Sequence, residues 1–228
     1  MSQRRFLITG GSQGIGAAVV EQATKAGHRV VFTGRDETRL KQVADATGAL
    51  AVCADVAVPQ DNERVAELCL QHMAGVDVLI NNAGYAYRAE IGSIDLGKMR
   101  AMFDTNFFGM VDITNRLVLA MKERKDGDII NIASTSGMKG NATGTPYAAS
   151  KWAVRGISQV WQAELRPYGI RVTCVCPSEV QTGFDGKTGR NNPNKLYAQD
   201  IAATIMAALD MPRRVLWPEL AVFAANPF

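Results

Sequence analysis

The feature that most constrains the fold is a short apolar strand running through a glycine cluster straight into a helix. Arg5-Phe-Leu-Ile-Thr9 reads as the strand, Gly10-Gly-Ser-Gln-Gly14-Ile-Gly16 as the junction, and Ala17 to Ala26 as a helix closed by Gly27. Glycines at such a junction let the backbone turn tightly and approach a pyrophosphate, whose charge the free N–H groups and dipole of the helix start favour. The spacing is Gly-xxx-Gly-x-Gly rather than Gly-x-Gly-x-x-Gly, and a glycine cluster can also be only a turn. The same rhythm then recurs. Short apolar runs at His28–Thr33, Ala49–Cys53, Val76–Ile80 and Asp128–Ala133 read as strands with helical stretches between them. Such alternation predicts an α/β fold: one domain over residues 1–228, with a doubly wound parallel sheet and helices on both faces.

In an open α/β sheet the ligand crevice lies beyond the carboxyl ends of the strands. The second strand ends at Gly34-Arg35-Asp36. A carboxylate at that tip binds a ribose 2′-hydroxyl and selects NAD, whereas an arginine accommodates a 2′-phosphate and selects NADP. Arg35 therefore favours NADPH, while Asp36 keeps NAD as the alternative and Arg35 also reads as a solvated charge ahead of a helix. The third strand ends at Asp55, suited to an adenine amino group or to capping the helix after Pro59. Asn81-Asn82-Ala83-Gly84 ends the fourth, where the amides suit ribose, neighbouring strands or a turn. Ser134-Thr-Ser-Gly137 follows the fifth, and Ser134 suits a substrate carbonyl or a local backbone cap.

Thirteen residues after Ser134 comes Tyr147-Ala-Ala-Ser-Lys151. Four residues is about one helical turn, so the two side chains share a face. An ammonium beside a phenol favours the phenolate, pulling the tyrosine from its usual value of about 10 toward working pH, where a general acid is most effective. Neither His28 nor His72 sits in a triad setting, so serine-hydrolase chemistry has no base.

Thr9-Gly10-xxx-Gly14-Ile15-Gly16, Asp55, Asn81-Asn82-Ala83-Gly84, Asn106, Ser134, Tyr147-xxx-Lys151, and Pro177 followed by Thr182 together resemble the short-chain dehydrogenase/reductase family, in order and spacing, from about Arg4 to Phe223. The resemblance implies a Rossmann-like sheet of about seven strands, with Ala221-Val-Phe223 in the last. It implies a nicotinamide cofactor held by Gly10, Ser12, Gln13, Gly14, Ile15, Gly16, Arg35, Asp55, Val56, Asn82, Ala83, Gly84, Tyr147, Lys151, Pro177, Val180 and Thr182. By the same resemblance Tyr147 protonates a carbonyl oxygen that Ser134 orients. Lys151 then binds the nicotinamide ribose and lowers the tyrosine pKa, and the Asn106 carbonyl holds a water of a proton relay. A homodimer or homotetramer is implied through the helices around Asn106 and after Tyr147, the latter carrying Trp152, Val160 and Trp161. The sequence departs from the family at three places. Ser178 follows Pro177 where glycine is usual, Gln13 stands where NADP-using members are often basic, and the substrate segment, about 183–198, is short. Gly183 to Lys195 is rich in Gly and Asn and poor in apolar anchors, which predicts an open pocket and a loop that orders when ligands bind.

The 228 residues are 47% hydrophobic, enough for a substantial core, with no apolar run long enough to span a bilayer. Met1-Ser-Gln-Arg-Arg enters the first strand directly, so no signal peptide and a cytoplasmic location are expected. A formal charge of +3 with scattered Lys and Arg gives no nucleic-acid footprint. Cys53, Cys69, Cys174 and Cys176 read as reduced core residues, and Cys174-Val-Cys176 lacks partner ligands, so no metal site is expected. The expected activity is NADPH-dependent reduction of a ketone or aldehyde, or its reverse. The alternatives are a 3-oxoacyl thioester reductase, with Lys187, Arg190 and Lys195 meeting an acidic carrier, and an NADPH-sensing regulator without turnover. Tyr85, Tyr87, Met138, Asn141 and Phe184 are expected to shape the substrate pocket.

Overall fold

The structure is a computed structural model in which residues 2–184 and 192–225 are described. Seven parallel strands form one sheet in the order β3 (Leu50–Cys53), β2 (Arg29–Gly34), β1 (Arg5–Ile8), β4 (Val78–Asn81), β5 (Gly127–Ile132), β6 (Ile170–Pro177) and β9 (Glu219–Val222). A parallel sheet needs crossover connections, and its strands, covered on both faces, become continuous apolar runs. β1, β4 and β5 follow that rule, as in Phe6-Leu7-Ile8 and Ile129-Ile130, all at or near zero exposure.

Side chains alternate between the faces. Leu7, Val31, Leu79, Ile129 and Val172 point into one core, closed by α3 (Pro59–Met73), α5 (Gly109–Arg124) and α6 (Thr145–Leu165). Phe6, Ile8, Phe32, Ile80 and Ile130 point into the other, closed by α1 (Gly14–Lys25), α2 (Glu37–Thr47) and α7 (Ala198–Asp210). The strand order reverses between β1 and β4, which places a crevice beyond their carboxyl ends.

Local chemistry fixes the ends of these elements. Asp36 caps α2 by accepting from the Arg39 N–H, and Gly48 ends it in the left-handed region. Pro59 opens α3, with Val58 rather than Asp55 at its cap, so Asp55 does not cap that helix. The last strand ends at Val222, leaving Phe223 exposed beyond it. Cys53 is exposed because β3 is an edge strand, whereas Cys69, Cys174 and Cys176 are buried. Asn106 lies neither in α4 (Leu96–Phe103) nor in α5 but in a π-helical turn, Asp104–Phe108, that joins them. Residues 185–191, with Lys187 and Arg190, are outside the described residues. On either side of them β7 (Val180–Gln181) and β8 (Leu196–Tyr197) pair as a small parallel ribbon.

Candidate active site

The crevice is a cavity of about 1560 Å³ lined by all but two of the residues the sequence assigned to cofactor or chemistry. The exceptions are Gly16 and Asn106, which support its walls from behind. At one end the chain from β1 turns through Gly10 (φ +66°) and Gly14 (φ +55°), backbone angles at which a side chain is strained. A Cβ on Gly16 would lie 2.3 Å from the Gly10 carbonyl, so only glycine lets α1 pack this closely on the turn. α1 has Gln13 at its cap with no side-chain acceptor, and no acidic residue in its first turn. Its amide hydrogens and positive dipole end thus face the cavity without a protein anion, which fits a pyrophosphate.

Asn82 locks this turn to β4. Its Nδ2 donates to the carbonyls of Thr9 and Gly10, both at 3.0 Å. Asn81 instead points into the core, donating to Asn131 Oδ1 at 2.8 Å and Thr114 Oγ1 at 3.1 Å, so it ties β4 to β5 and α5 and leaves the ribose to others. Val56 is buried under the same wall, with its carbonyl accepting from Asn62 Nδ2 at 2.8 Å.

At the tip of β2 Arg35 is largely exposed and its Nη1 lies 3.5 Å from Asp55 Oδ2. Arg39, absent from the sequence reading, reaches back from α2 to donate to Gln13 Oε1 and to approach Asp36 at 3.3 Å. Two guanidinium groups therefore flank the pocket rim. Asp36 accepts from the Arg39 N–H at the α2 cap and pairs with the Arg39 guanidinium. A Cβ on Gly34 would lie 2.8 Å from Ser12 Oγ, which explains the glycine before Arg35.

The other end of the cavity holds the proton-transfer residues. Ser134 has extended backbone and its Oγ accepts from the Ser136 N–H at 3.1 Å. The local cap is therefore real, and a hydroxyl that accepts there still has its own hydrogen to donate. Tyr147 and Lys151 lie in the first two turns of α6 and are both buried. Lys151 Nζ donates to the Ile132 carbonyl at 2.8 Å and sits 5.9 Å from the centre of the Tyr147 ring. Burial pulls its pKa down from 10.5 to about 8.

Asn106 is 2% exposed and braces this end. Its amide accepts from Tyr85 N–H at 3.0 Å and donates to the Tyr85 carbonyl at 3.0 Å and to Ser150 Oγ at 3.1 Å. Ser150 in turn donates to the Tyr147 carbonyl at 2.8 Å. The π-turn is thereby fastened to the helix that carries the tyrosine, a link overlooked although Ser150 stands inside the Tyr147–Lys151 motif.

Pro177, Val180 and Thr182 also line the cavity, and Thr182 lies 3.3 Å from a Cβ built on Gly14 at the start of α1. Ser178 has no positive φ and donates its N–H to Val222 at 2.8 Å, so the backbone needs no glycine there. Tyr85, Asn141 and Phe184 line the pocket as expected, and Phe184 packs 6.0 Å from Tyr147. Tyr87 and Met138 do not line it. Tyr87 accepts from Asp95 N–H, and Met138 packs on the core. Arg88 and Lys139 do line the pocket and were missed. Glu219 approaches Cys174 and Cys176, with ligand atoms of all three within 4.8 Å, but its carboxylate is gripped by Arg155 at 2.5 and 3.1 Å.

A glycine turn at an uncapped helix start, Arg35 at a strand tip, and a Ser-Tyr-Lys set meet at one cavity. The sequence profile of the short chain dehydrogenase family matches residues 4–193, and the chain belongs to that family. An uncharacterized oxidoreductase of Staphylococcus saprophyticus is 36% identical over 222 residues, covering 95% of each chain. The crystal structure of a short-chain dehydrogenase from Streptomyces avermitilis superposes with a TM-score of 0.89 at 30% identity, over 97% of this chain and 89% of that one. The closed form of a serine dehydrogenase complexed with NADP+ superposes at 0.88 and 27% identity, over 96% and 94%. Family members use nicotinamide cofactors, and no helix among the described residues is long and apolar enough to cross a membrane.

Proposed function

We propose that the protein is an NADPH-dependent carbonyl reductase, or alcohol dehydrogenase in reverse, acting on a small ketone or aldehyde. The observation that carries this reading is the convergence of Ser134, Tyr147 and Lys151 on the cavity that begins at the uncapped start of α1. When bound, the reduced nicotinamide supplies the hydride. Ser134 donates its hydroxyl hydrogen to the substrate carbonyl, and Tyr147 gives its phenolic proton to the same oxygen. Lys151 stabilises the resulting phenolate and binds the ribose, while the Asn106 carbonyl holds a water on the path that reprotonates the tyrosine. Asp55 takes the adenine amino group, and Gly10, Ser12, Gln13, Gly14 and Ile15 take the pyrophosphate.

NADPH is favoured over NADH because Arg35, with Arg39 beside it, stands at the ribose-reading tip of β2, where Asp36 pairs with Arg39. The NADP+ carried by the similar serine dehydrogenase agrees with that preference. A charge-assisted contact contributes about 1.5–3 kcal/mol, which corresponds to roughly 10- to 150-fold in affinity. Exposed apolar residues on neighbouring helical faces, Phe108, Leu119, Trp152 and Val160, support a homo-oligomer, whereas Trp161 on α6 is core. A cytoplasmic enzyme fits the absence of a spanning helix among the described residues. The carrier-thioester reading has less support, since Lys195 is held by Glu179 at 2.7 Å.

The test is a turnover screen of aldehydes, ketones and 3-oxoacyl thioesters with both cofactors, repeated on Arg35→Ala. Reduction of simple carbonyls with NADPH, with the cofactor preference falling about tenfold or more in the variant, is expected. Binding of NADPH without turnover of any carbonyl would make the protein a sensor. A wild-type preference for NADH would transfer ribose reading away from Arg35.

A further inference from the structure

Two serines of α6 are wholly buried and make the same pair of hydrogen bonds. Ser158 donates to the Val154 carbonyl at 2.6 Å and accepts from Asn131 Nδ2 at 2.9 Å, which ties the middle of the helix to β5. Ser150 donates to the Tyr147 carbonyl at 2.8 Å and accepts from Asn106 Nδ2 at 3.1 Å, which ties the first turns of the helix to the π-turn. Alanine suits a helical position better than serine, whose hydroxyl competes for the carbonyls of its own helix. A serine at each place is explained by the asparagine amide it receives.

The two ties differ in what lies at their far end. Ser158 leads into the body of the sheet. Ser150 leads through the Asn106 amide to the N–H and the carbonyl of Tyr85, both at 3.0 Å. Tyr85 directly follows Asn82-Ala83-Gly84, the turn beyond β4 that lines the cavity. A Cβ on Gly84 would lie 3.0 Å from Asn106 Oδ1 and 3.6 Å from Lys151 Nζ, so this turn, the asparagine and the lysine are packed against one another. An unbroken series of hydrogen bonds thus joins the turn beyond β4 to the backbone of Tyr147, and Ser150 is its one link on the helix. Ser150 itself lies behind the cavity wall, out of reach of a substrate.

We propose that Ser150 is a positioning residue for the reaction. Its hydroxyl fixes how far Tyr147 stands from the cofactor-binding turn beyond β4, so that the phenol meets the substrate oxygen as hydride is transferred. Lys151 shares α6 with Tyr147, and loss of Ser150 therefore alters the distance of the pair from the cofactor rather than from each other. Misplacing a reacting group by ~1 Å costs about 10²-fold in rate, so a loosened brace should cost roughly tenfold. This assignment rests on the carbonyl-reductase reading of the same site.

The test compares Ser150→Ala with Ser158→Ala. Denaturation midpoints, NADPH affinity by fluorescence titration, and kcat and KM for an aldehyde or ketone that the wild type reduces are measured for each. Both variants take an acceptor from a buried asparagine amide, so both should lower the midpoint. Only Ser150→Ala should lower kcat, by about tenfold, with KM and NADPH affinity within about twofold of wild type. Ser158→Ala should keep kcat within about twofold. The pH at which kcat falls should not move in Ser150→Ala, because the tyrosine and lysine stay together. Ser150→Cys keeps the volume with a weaker donor and acceptor and should lie between wild type and alanine, and it takes the place of the alanine variant if that one does not fold. Asn106→Ala combined with Ser150→Ala should be no slower than Asn106→Ala alone, since the brace is then already cut. An undiminished kcat in Ser150→Ala, equal losses in the two serine variants, or additive losses in the double variant would reduce Ser150 to a packing residue and leave the reductase reading standing. A wild type that reduces no carbonyl would overturn that reading and this inference with it.

Discussion

Lys151 is held where a lysine is costly, nearly without exposure and with a pKa lowered to about 8. A folded pKa below the unfolded one means that the unfolded chain binds more protons between about pH 8 and 10.5, so this residue's contribution makes stability rise with pH across that window. Below it, the fall from 10.5 to about 8 corresponds to about 3 kcal/mol of destabilisation. Lys151→Met should therefore melt higher than wild type at pH 7 in the cofactor-free protein, by ~1–3 kcal/mol, with the gap closing toward pH 10. Equal melting curves at both pH values would show that the lysine bears no such penalty. On the proposed mechanism kcat/KM for reduction should decline as pH rises through about 8, as Lys151 loses its ammonium charge. Tyr147→Phe, which keeps the ring and removes the proton, should lower kcat by about 10² while NADPH titrations change little.

Among the elements, the α1 junction shows how a missing side chain becomes a binding surface. Gly16 has no room for a Cβ, since the Gly10 carbonyl and Asn82 Nδ2 would lie at 2.3 and 2.6 Å. Gly16→Ala should push α1 off the turn, costing about 1–3 kcal/mol and weakening binding of both NADPH and NADH, measured by denaturation and by fluorescence titration. Gly156, exposed in the middle of α6 with nothing within 4 Å, is the matched control. Alanine there should stabilise by ~0.5–1 kcal/mol through helix propensity and leave cofactor binding alone. The π-turn at Asp104–Phe108 belongs to the same scale, because it turns the Asn106 side chain toward Tyr85 and Ser150. Bulges of this kind recur at functional sites.

Across the whole molecule, the end of the sheet opposite the cavity is closed by one buried carboxylate. Asp128 on β5 accepts from Arg4 ahead of β1, from Arg171 on β6 at 2.6 Å, and from Arg213 beyond α7 at 2.7 Å. Arg171 also donates to the carbonyls of Leu209, Met211 and Val215, binding the segment after α7 to the sheet. Asp128→Asn leaves Arg171 buried without its counter-charge and should cost about 3–5 kcal/mol, read as a lowered denaturation midpoint. A loss below about 1 kcal/mol would mean that the backbone carbonyls alone satisfy the arginine. Phe108→Glu, placed on the exposed apolar face, should shift a homo-oligomer to monomer in sedimentation without altering the melting of the monomer.

Much of this was legible from residue order alone. Strand and helix alternation, the glycine junction, Arg35 at its strand tip and the one-turn spacing of Tyr147 and Lys151 are local facts, because periodicity and backbone permissiveness are properties of neighbouring residues. Those features determined the parallel sheet, and they put forward the dinucleotide end and the proton donor of the proposed function. The tertiary structure alone decided that Asn81 ties strands together, since that depends on what another strand brings within hydrogen-bond reach. It also decided the roles of residues with no motif. Arg39 meets Gln13 across 26 positions, and Ser150 meets Asn106 across 44. Contacts of that kind are set by how the crossover helices pack on the sheet, and burial, which lowers the pKa of Lys151, exists only after that packing is complete.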